Sequence, residues 1–279
     1  MLVNQEYGGE RPLYKSDDLW LRNVTIHAGE SSLKESRKIE AEHCRFEGKY
    51  VFWENEELRC IDSIFTESAR SSIWYSRKIN LFNCRIEAPK YFRRVSGLVL
   101  EDVVMTDAQE SFWNCDNIKI DSGSIKKGNY LFLNCRSVDI ENCMIDGNFA
   151  FQTARQVTIR DSVIVSKDSF WESEDCTLVN CEIDGEYLGW YSKRLRLVDC
   201  RIKGTQPLCY CENLVLENCT FDEDADLAFE YSTVNATIRG KVTSIKNPTS
   251  GIIVADEVGG IVLDENQRQP ADCKIEIRE

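Results

Sequence analysis

Along most of the chain, apolar and polar residues alternate in short runs, and the runs recur at a nearly fixed interval. An eight-residue pattern, apolar-x-apolar-x-Asn/Asp-small-x-apolar, begins as LWLRNVTI at Leu19 and returns as IEAEHCRF at Ile39, LRCIDSIF at Leu58, INLFNCRI at Ile79 and LVLEDVVM at Leu98. It continues as IKIDSGSI at Ile118, VDIENCMI at Val138, VTIRDSVI at Val157, CTLVNCEI at Cys176, LRLVDCRI at Leu195 and LVLENCTF at Leu214. Successive starts are 19 to 21 residues apart. Alternation at period two is the strand signature, and a helical period fails in every copy. A twenty-residue unit of short strands cannot bury its own apolar face, so the units must stack with parallel strands about 4.8 Å apart. The sequence therefore predicts an all-β, single-stranded parallel β-helix of about a dozen coils of 19–21 residues. At the strand spacing this is a rod about 55–60 Å long without internal linkers. Its open ends need covering: residues 1–18 are expected to form an N-terminal cap, 19–245 the β-helix, and 246–279 a C-terminal cap or dimer arm.

The columns of the repeat have physical assignments. Its first, third and last positions, such as Leu81, Leu100, Ile120, Ile140, Ile159, Leu178 and Leu197, should form aliphatic stacks inside. The fifth position reads Asn23, His43, Asp62, Asn83, Asp102, Ser122, Asn142, Asp161, Asn180, Asp199 and Asn218. These types tolerate left-handed backbone at a tight corner and bond neighbouring amides. The next position carries Cys44, Cys84, Cys143, Cys181, Cys200 and Cys219, small apolar residues where the chain turns inward. Gly48, Gly147, Gly185 and Gly204 mark a second corner, and Arg77-Lys78, Asp116-Asn117 and Lys193-Arg194 a third.

Between the second and third corners a further strand rich in aromatics is expected, as in YVFWEN from Tyr50, SSIWYS from Ser71, KYFRRV from Lys90 and ESFWNC from Glu110. It places a column of Phe52, Ile73, Phe92, Phe112, Phe132, Phe151 and Phe170 next to one of Trp53, Trp74, Arg93, Trp113, Leu133, Gln152, Trp171 and Trp190. On a regular strand these columns face opposite ways. Parity with Glu54, Tyr75, Arg94 and Asn114 puts Trp inside. Composition puts it outside, because Arg93 and Gln152 do not belong in a core unless paired; the reading leans to Trp outside.

Charge narrows the partners. With 34 Lys+Arg against 47 Asp+Glu the chain carries a formal net charge of -13, which argues against nucleic acid. No apolar run reaches the length of a membrane span and no export signal is visible, so neither membrane nor secretion is expected and the cytoplasm is the expected location. The 13 cysteines are odd in number and sit mostly in strand-like runs, pointing to reduced, buried thiols. Cys209 and Cys211, with only His27 and His43 as histidines, make no ligand set, so neither metal nor cofactor is expected.

The coil length and the Asn/Asp ladder resemble the right-handed parallel β-helices of the pectate-lyase-like superfamily, and handedness comes from that resemblance alone. More narrowly, GERPLY at Gly9, SSLKES at Ser31, IEAPKYFRR at Ile86, FWNCDN at Phe112, GEYLGW at Gly185, FEYSTV at Phe229 and KNPTSG at Lys246 resemble an uncharacterised bacterial family known only as a domain of unknown function. The resemblance spans essentially the whole chain and implies a fold, not a reaction. Enzymes of the superfamily build grooves from long loops, whereas these coils vary by about one residue.

One candidate site stands out. Lys90, Arg93 and Arg94 interrupt the aromatic stripe between Trp74 and Trp113, and aromatic platforms beside guanidinium groups suit a sugar with an anionic substituent. Alternatively these charges pair with Glu54, Glu56, Glu110 or Asp107. Glu42, Glu101, Asp121, Glu141 and Glu217 read as a solvated acidic face rather than a hydrolytic pair. His43 reads as a corner residue, and His27 as a loop residue without a visible partner. No nucleophile elbow or phosphate loop occurs. The expected function is a non-catalytic scaffold or binding module, forming a homodimer through an exposed aromatic face. The alternative is a carbohydrate-binding or carbohydrate-active protein acting near the Arg/Trp cluster.

Overall fold

A computed structural model describes residues 1–278. The chain is an all-β parallel β-solenoid of about 15 turns, with no helix among the described residues. The count exceeds the expected dozen because both terminal segments contribute turns. Leu2 and Val3 pair in parallel with Leu21 and Arg22, and Glu6–Glu10 with Thr25–Glu30. At the other terminus Ser250–Ala255 pairs with Thr233–Ile238 and with Lys274–Ile277. Glu279, the last residue of the expected C-terminal segment, lies outside the described residues. Contacts divide the chain into two compact units, Met1–Met144 and Ile145–Glu279.

In the first unit the predicted register holds. Leu21 pairs with Ala41, Ala41 with Cys60, Cys60 with Leu81 and Leu81 with Leu100, and all five are buried. A second column stacks Phe46 on Phe65 with ring centroids 4.8 Å apart. In the second unit Leu178, Leu197, Leu216, Ala236 and Ile253 continue one inner column through their pairings. Phe151 stacks on Phe170 at 4.7 Å.

The corners form where the sequence places them. All eleven fifth-position residues from Asn23 to Asn218 have positive φ, as do Lys78, Asn117 and Arg194 at the third corner. Corner amides donate to the neighbouring turn, Asn83 N to Glu101 O at 2.9 Å for instance. The side-chain ladder is discontinuous: Asn83 Nδ2 reaches Asp62 Oδ1 at 2.6 Å and Asn180 Nδ2 reaches Asp161 Oδ1 at 2.6 Å. At the second corner Gly204 (φ +96°) leaves no room for a side chain, since a Cβ would lie 2.5 Å from the Gly185 backbone.

The aromatic segment departs from expectation. It is a run of turns, not a strand. Tyr50, Phe52 and Glu54 all take positive φ, and the same alternation recurs at Ser71, Ile73 and Tyr75, at Lys90, Phe92 and Arg94, and at Glu110, Phe112 and Asn114. Left-handed backbone costs an L-residue about 1–2 kcal/mol, and hydrogen bonds to the adjacent turns offset it. Tyr50 N donates to Arg70 O, Phe52 N to Ser32 O and Glu54 N to Trp74 O. The intervening Val51 and Asn55 amides donate to the hydroxyls of Ser72 and Ser76. The alternation also breaks strand parity. Val51 and Phe52 both point inward, Trp53 and Glu54 both face outward, and Asn55 turns in again. Composition therefore read the Trp column correctly, while the parity argument assumed a backbone the segment does not have.

Twelve of the thirteen cysteines are buried, all unpaired, and Cys273 is half-buried. Six follow the first corner, as expected; Cys115, Cys135 and Cys211 occupy a second column just before the third corner, Cys60 and Cys176 lie inside the strands, and Cys209 stands two residues before Cys211. The thiols satisfy backbone carbonyls: Cys44 Sγ donates to Glu42 O at 3.3 Å and Cys200 Sγ to Val198 O at 3.3 Å. Ser63 and Ser162 make the equivalent bond from the same column, at 2.7 and 2.6 Å.

Candidate functional site

The turn geometry of the aromatic segment sets one large side chain per turn on the outside, directly above the one before. In the first unit Trp53 stacks on Trp74 with centroids 5.1 Å apart and planes 13° apart. Arg93 then takes the place of a ring. Its guanidinium lies 4.6 Å from the Trp74 centroid and 4.1 Å from that of Trp113, held by parallel bridges from Trp74 to Arg93 and from Arg93 to Trp113. A planar cation between two indole faces is a favourable electrostatic arrangement, and Lys could not reproduce it.

The polar edges of this ladder are already engaged. Trp74 Nε1 donates to Lys90 O at 2.6 Å and Trp113 Nε1 to Tyr130 O at 2.7 Å. Arg93 Nη2 meets Glu110 Oε2 at 2.9 Å, and Lys90 Nζ lies 3.3 Å from the same oxygen. The Arg93 side chain is 20% exposed, and its Nε is buried without a partner. Arg94 points elsewhere, over the exposed ring of Tyr75 at 5.7 Å. The structure thus gathers Trp74 and Trp113 around Arg93 and sets Arg93 and Lys90 on Glu110, leaving Arg94 as the solvent-facing guanidinium. Both faces of Arg93 that a sugar ring would stack against are covered by indoles.

The second unit carries its own ladder, with a lysine at its side: Lys167 Nζ lies 5.1 Å from the centroid of Tyr187, whose ring meets Trp190 edge-on. Trp171 and Trp190 have centroids 5.8 Å apart, Tyr191 stacks on Tyr210 at 4.7 Å, and Tyr210 tilts toward Tyr231 at 5.8 Å. Trp190 Nε1 donates to Gln206 O at 2.8 Å. The backbone amide of Arg268 donates to the Tyr231 hydroxyl at 3.2 Å, laying the C-terminal segment against the ladder.

Two features escaped the sequence reading. His27 lies on the strand Thr25–Glu30, not in a loop, and has partners on both sides: Nε2 is 3.0 Å from Glu6 and Nδ1 3.2 Å from Glu47. Hydrogen bonds to Glu6 and then Glu47 raise its pKa above the ordinary imidazole value. The signal was the twenty-residue offset to Glu47 and the twenty-one-residue offset to Glu6, one turn each way. The other feature is a cleft of about 510 Å³ on the outer face of the first unit's strands, where Trp20, Glu40, Arg59 and Asn80 succeed one another in register. Trp20 is 39% exposed, and Arg59 lies over the Phe82 ring at 5.3 Å. Each sits at the second position of its repeat copy, where Trp20 is a tryptophan outside the aromatic column.

The other candidates sit where solvated groups should. Glu42 lies 3.7 Å from Arg22, and Glu217 2.8 Å from Arg196. Among the described residues no group of three His, Cys, Asp or Glu is placed to hold a metal ion. Cys211 Sγ donates to Gly189 O at 3.2 Å, and burial pushes its thiol pKa up to about 11.

Solved structures similar to this chain share little of its sequence. QnrB1, a plasmid-mediated fluoroquinolone resistance protein, is 11% identical over 79% of this chain and 89% of its own, with a TM-score of 0.26. HetL, a pentapeptide repeat protein involved in heterocyst differentiation regulation in a Nostoc cyanobacterium, is 11% identical over 64% of this chain and 84% of its own, TM-score 0.19. PfbA, a surface adhesin of Streptococcus pneumoniae, is 11% identical over 95% of this chain and 65% of its own, TM-score 0.27. No curated protein matches. The family model described as protein of unknown function (DUF3737) matches residues 1–276, and the chain belongs to that family.

Proposed function

We propose that the protein is a non-catalytic β-solenoid scaffold that self-associates through an aromatic ladder. The observation carrying this reading is the set of large rings left in solvent in the aromatic segments of each unit. Tyr75 is 47% exposed, Tyr130 40% and Tyr191 45%, while the indole N–H groups of their Trp neighbours are bonded to backbone carbonyls. Such surfaces offer broad apolar ring faces with phenol hydroxyls at their edges, and a second copy would bury them symmetrically. Light scattering on the wild type and on Tyr75→Ser with Tyr191→Ser tests it. A multimer that loses mass in the double variant supports the reading; a wild type that is monomeric at all concentrations removes it.

The second reading is glycan binding, favoured by Arg94, whose guanidinium stands beside an exposed tyrosine ring. A glycan-array screen of the wild type against Arg94→Ala decides it. Retained anionic-sugar spots in the variant would move the site away from this cluster.

A further inference from the structure

The last described turn leaves an inner column uncovered. Ile245 is 0% exposed, yet Ile261, paired directly on it, is 52% exposed. Likewise Ala255 is 0% exposed and its partner Ile277 is 53% exposed. Leu263 adds a side chain that is 55% exposed. Beside them Lys274–Ile277 pairs on one edge with Ser250–Ala255, and among the described residues no strand pairs with its other edge. An open edge flanked by bare apolar side chains is a template for another strand.

The residues of that edge specify the partner. The strand reads Lys274-Ile275-Glu276-Ile277. Directly opposed residues of an antiparallel pair share a face, so two copies related by a two-fold axis through Ile275 set Lys274 of each against Glu276 of the other. Cys273 then opposes Ile277, and the isoleucines lie on the inner face that Ile253 and Ala255 already define. The opposite terminal edge has the reverse character. Its strand Glu6–Glu10 reads EYGGE, and self-pairing about Gly8 would set Glu6 against Glu10 twice, a repulsive register. The Glu6–Glu10 edge is thus blunted and the Lys274–Ile277 edge is self-complementary.

We propose that the Lys274–Ile277 edge is an isologous docking surface for a second copy of this chain, extending the sheet antiparallel across a two-fold axis and covering Ile261, Leu263 and Ile277. This contact is separate from the aromatic face. If both form, the particle exceeds two chains, and each set of variants removes only its own contact.

The test is a charge-swap series followed by light scattering, with circular dichroism to follow the fold. Lys274→Glu alone creates opposed glutamates and Glu276→Lys alone opposed lysines, so each should halve the mass. The double swap restores two opposite-charge pairs and should recover the wild-type mass. Lys274 and Glu276 also pair with each other within the strand, a pair the double swap keeps, and their side chains are 70% and 40% exposed, so the exchanges leave the interior untouched. Single variants that keep the wild-type mass, or a folded double swap that stays light, overturn the proposal. As a second measurement, Ile277→Cys should form a covalent dimer with the partner's Cys273 under oxidised glutathione, and lose it when Cys273→Ser is added. Absence of that dimer also overturns it, whatever the tyrosine variants do.

Discussion

Each turn contains two segments that carry inner columns by opposite means. In the extended strip, as at Leu98 and Leu100, side chains alternate and every second one is buried. In the aromatic segment, as at Tyr91 and Phe92, two consecutive side chains are buried and the next two face out, because every second residue is left-handed. The strip obtains its stability from ordinary backbone. The segment accepts several strained residues and offsets them with bonds to adjacent turns and with large rings. Its stability should therefore be concentrated in fewer, costlier positions.

That contrast is testable in order of effect. Phe112 is buried between Phe92 at 5.0 Å and Phe132 at 4.4 Å, so Phe112→Ala should cost about 3–5 kcal/mol in urea unfolding and lose more than Leu100→Ala in the strip, for which about 2–5 kcal/mol is the general range. Equal losses would erase the distinction. At a corner shared by both segments' logic, Asn83→Val places a β-branched residue at φ 48° and removes the bond to Asp62; a loss of about 2 kcal/mol is expected, and Asn83→Gly should lose less. The thiol columns should be nearly silent. Cys44→Ser should change stability by less than about 1 kcal/mol, since Ser63 makes the same bond one turn on. In the native protein a thiol reagent should spare the twelve buried thiols; burial pushes Cys176, for one, up to about 11. Prompt reaction of several thiols would show the columns to be open. The smallest effect belongs to His27. Its folded pKa is raised by Glu6 and Glu47, so its stabilising contribution is fully present below the unfolded value of about 6.5 and fades as pH rises through the folded value. An NMR titration of His27 should move downward in Glu6→Gln, and an unchanged midpoint would count against the pairing.

The sequence carried the strip almost completely, because a period of two with a fixed offset admits a single face and register. The Asn/Asp corners were legible for a similar reason, since few residue types tolerate left-handed backbone. The aromatic segment was not: nothing in YVFWEN or SSIWYS announces positive φ at Phe52 or Ile73, and residues with bulky side chains are the last expected there. At the site, the sequence brought Trp74, Arg93 and Trp113 to one column but could not tell that the guanidinium lies between the indoles. His27 and the Trp20 cleft were missed because their partners stand a full turn away.

Composition and spacing by themselves determined the repeat, its corners, its buried columns and the all-β class, since these depend on interactions that recur identically in every turn. Tertiary structure alone decided how each aromatic packs, which charges pair, and which apolar side chains are left in solvent. Those depend on what lies above and below a residue, and that neighbour is about twenty positions away in the chain.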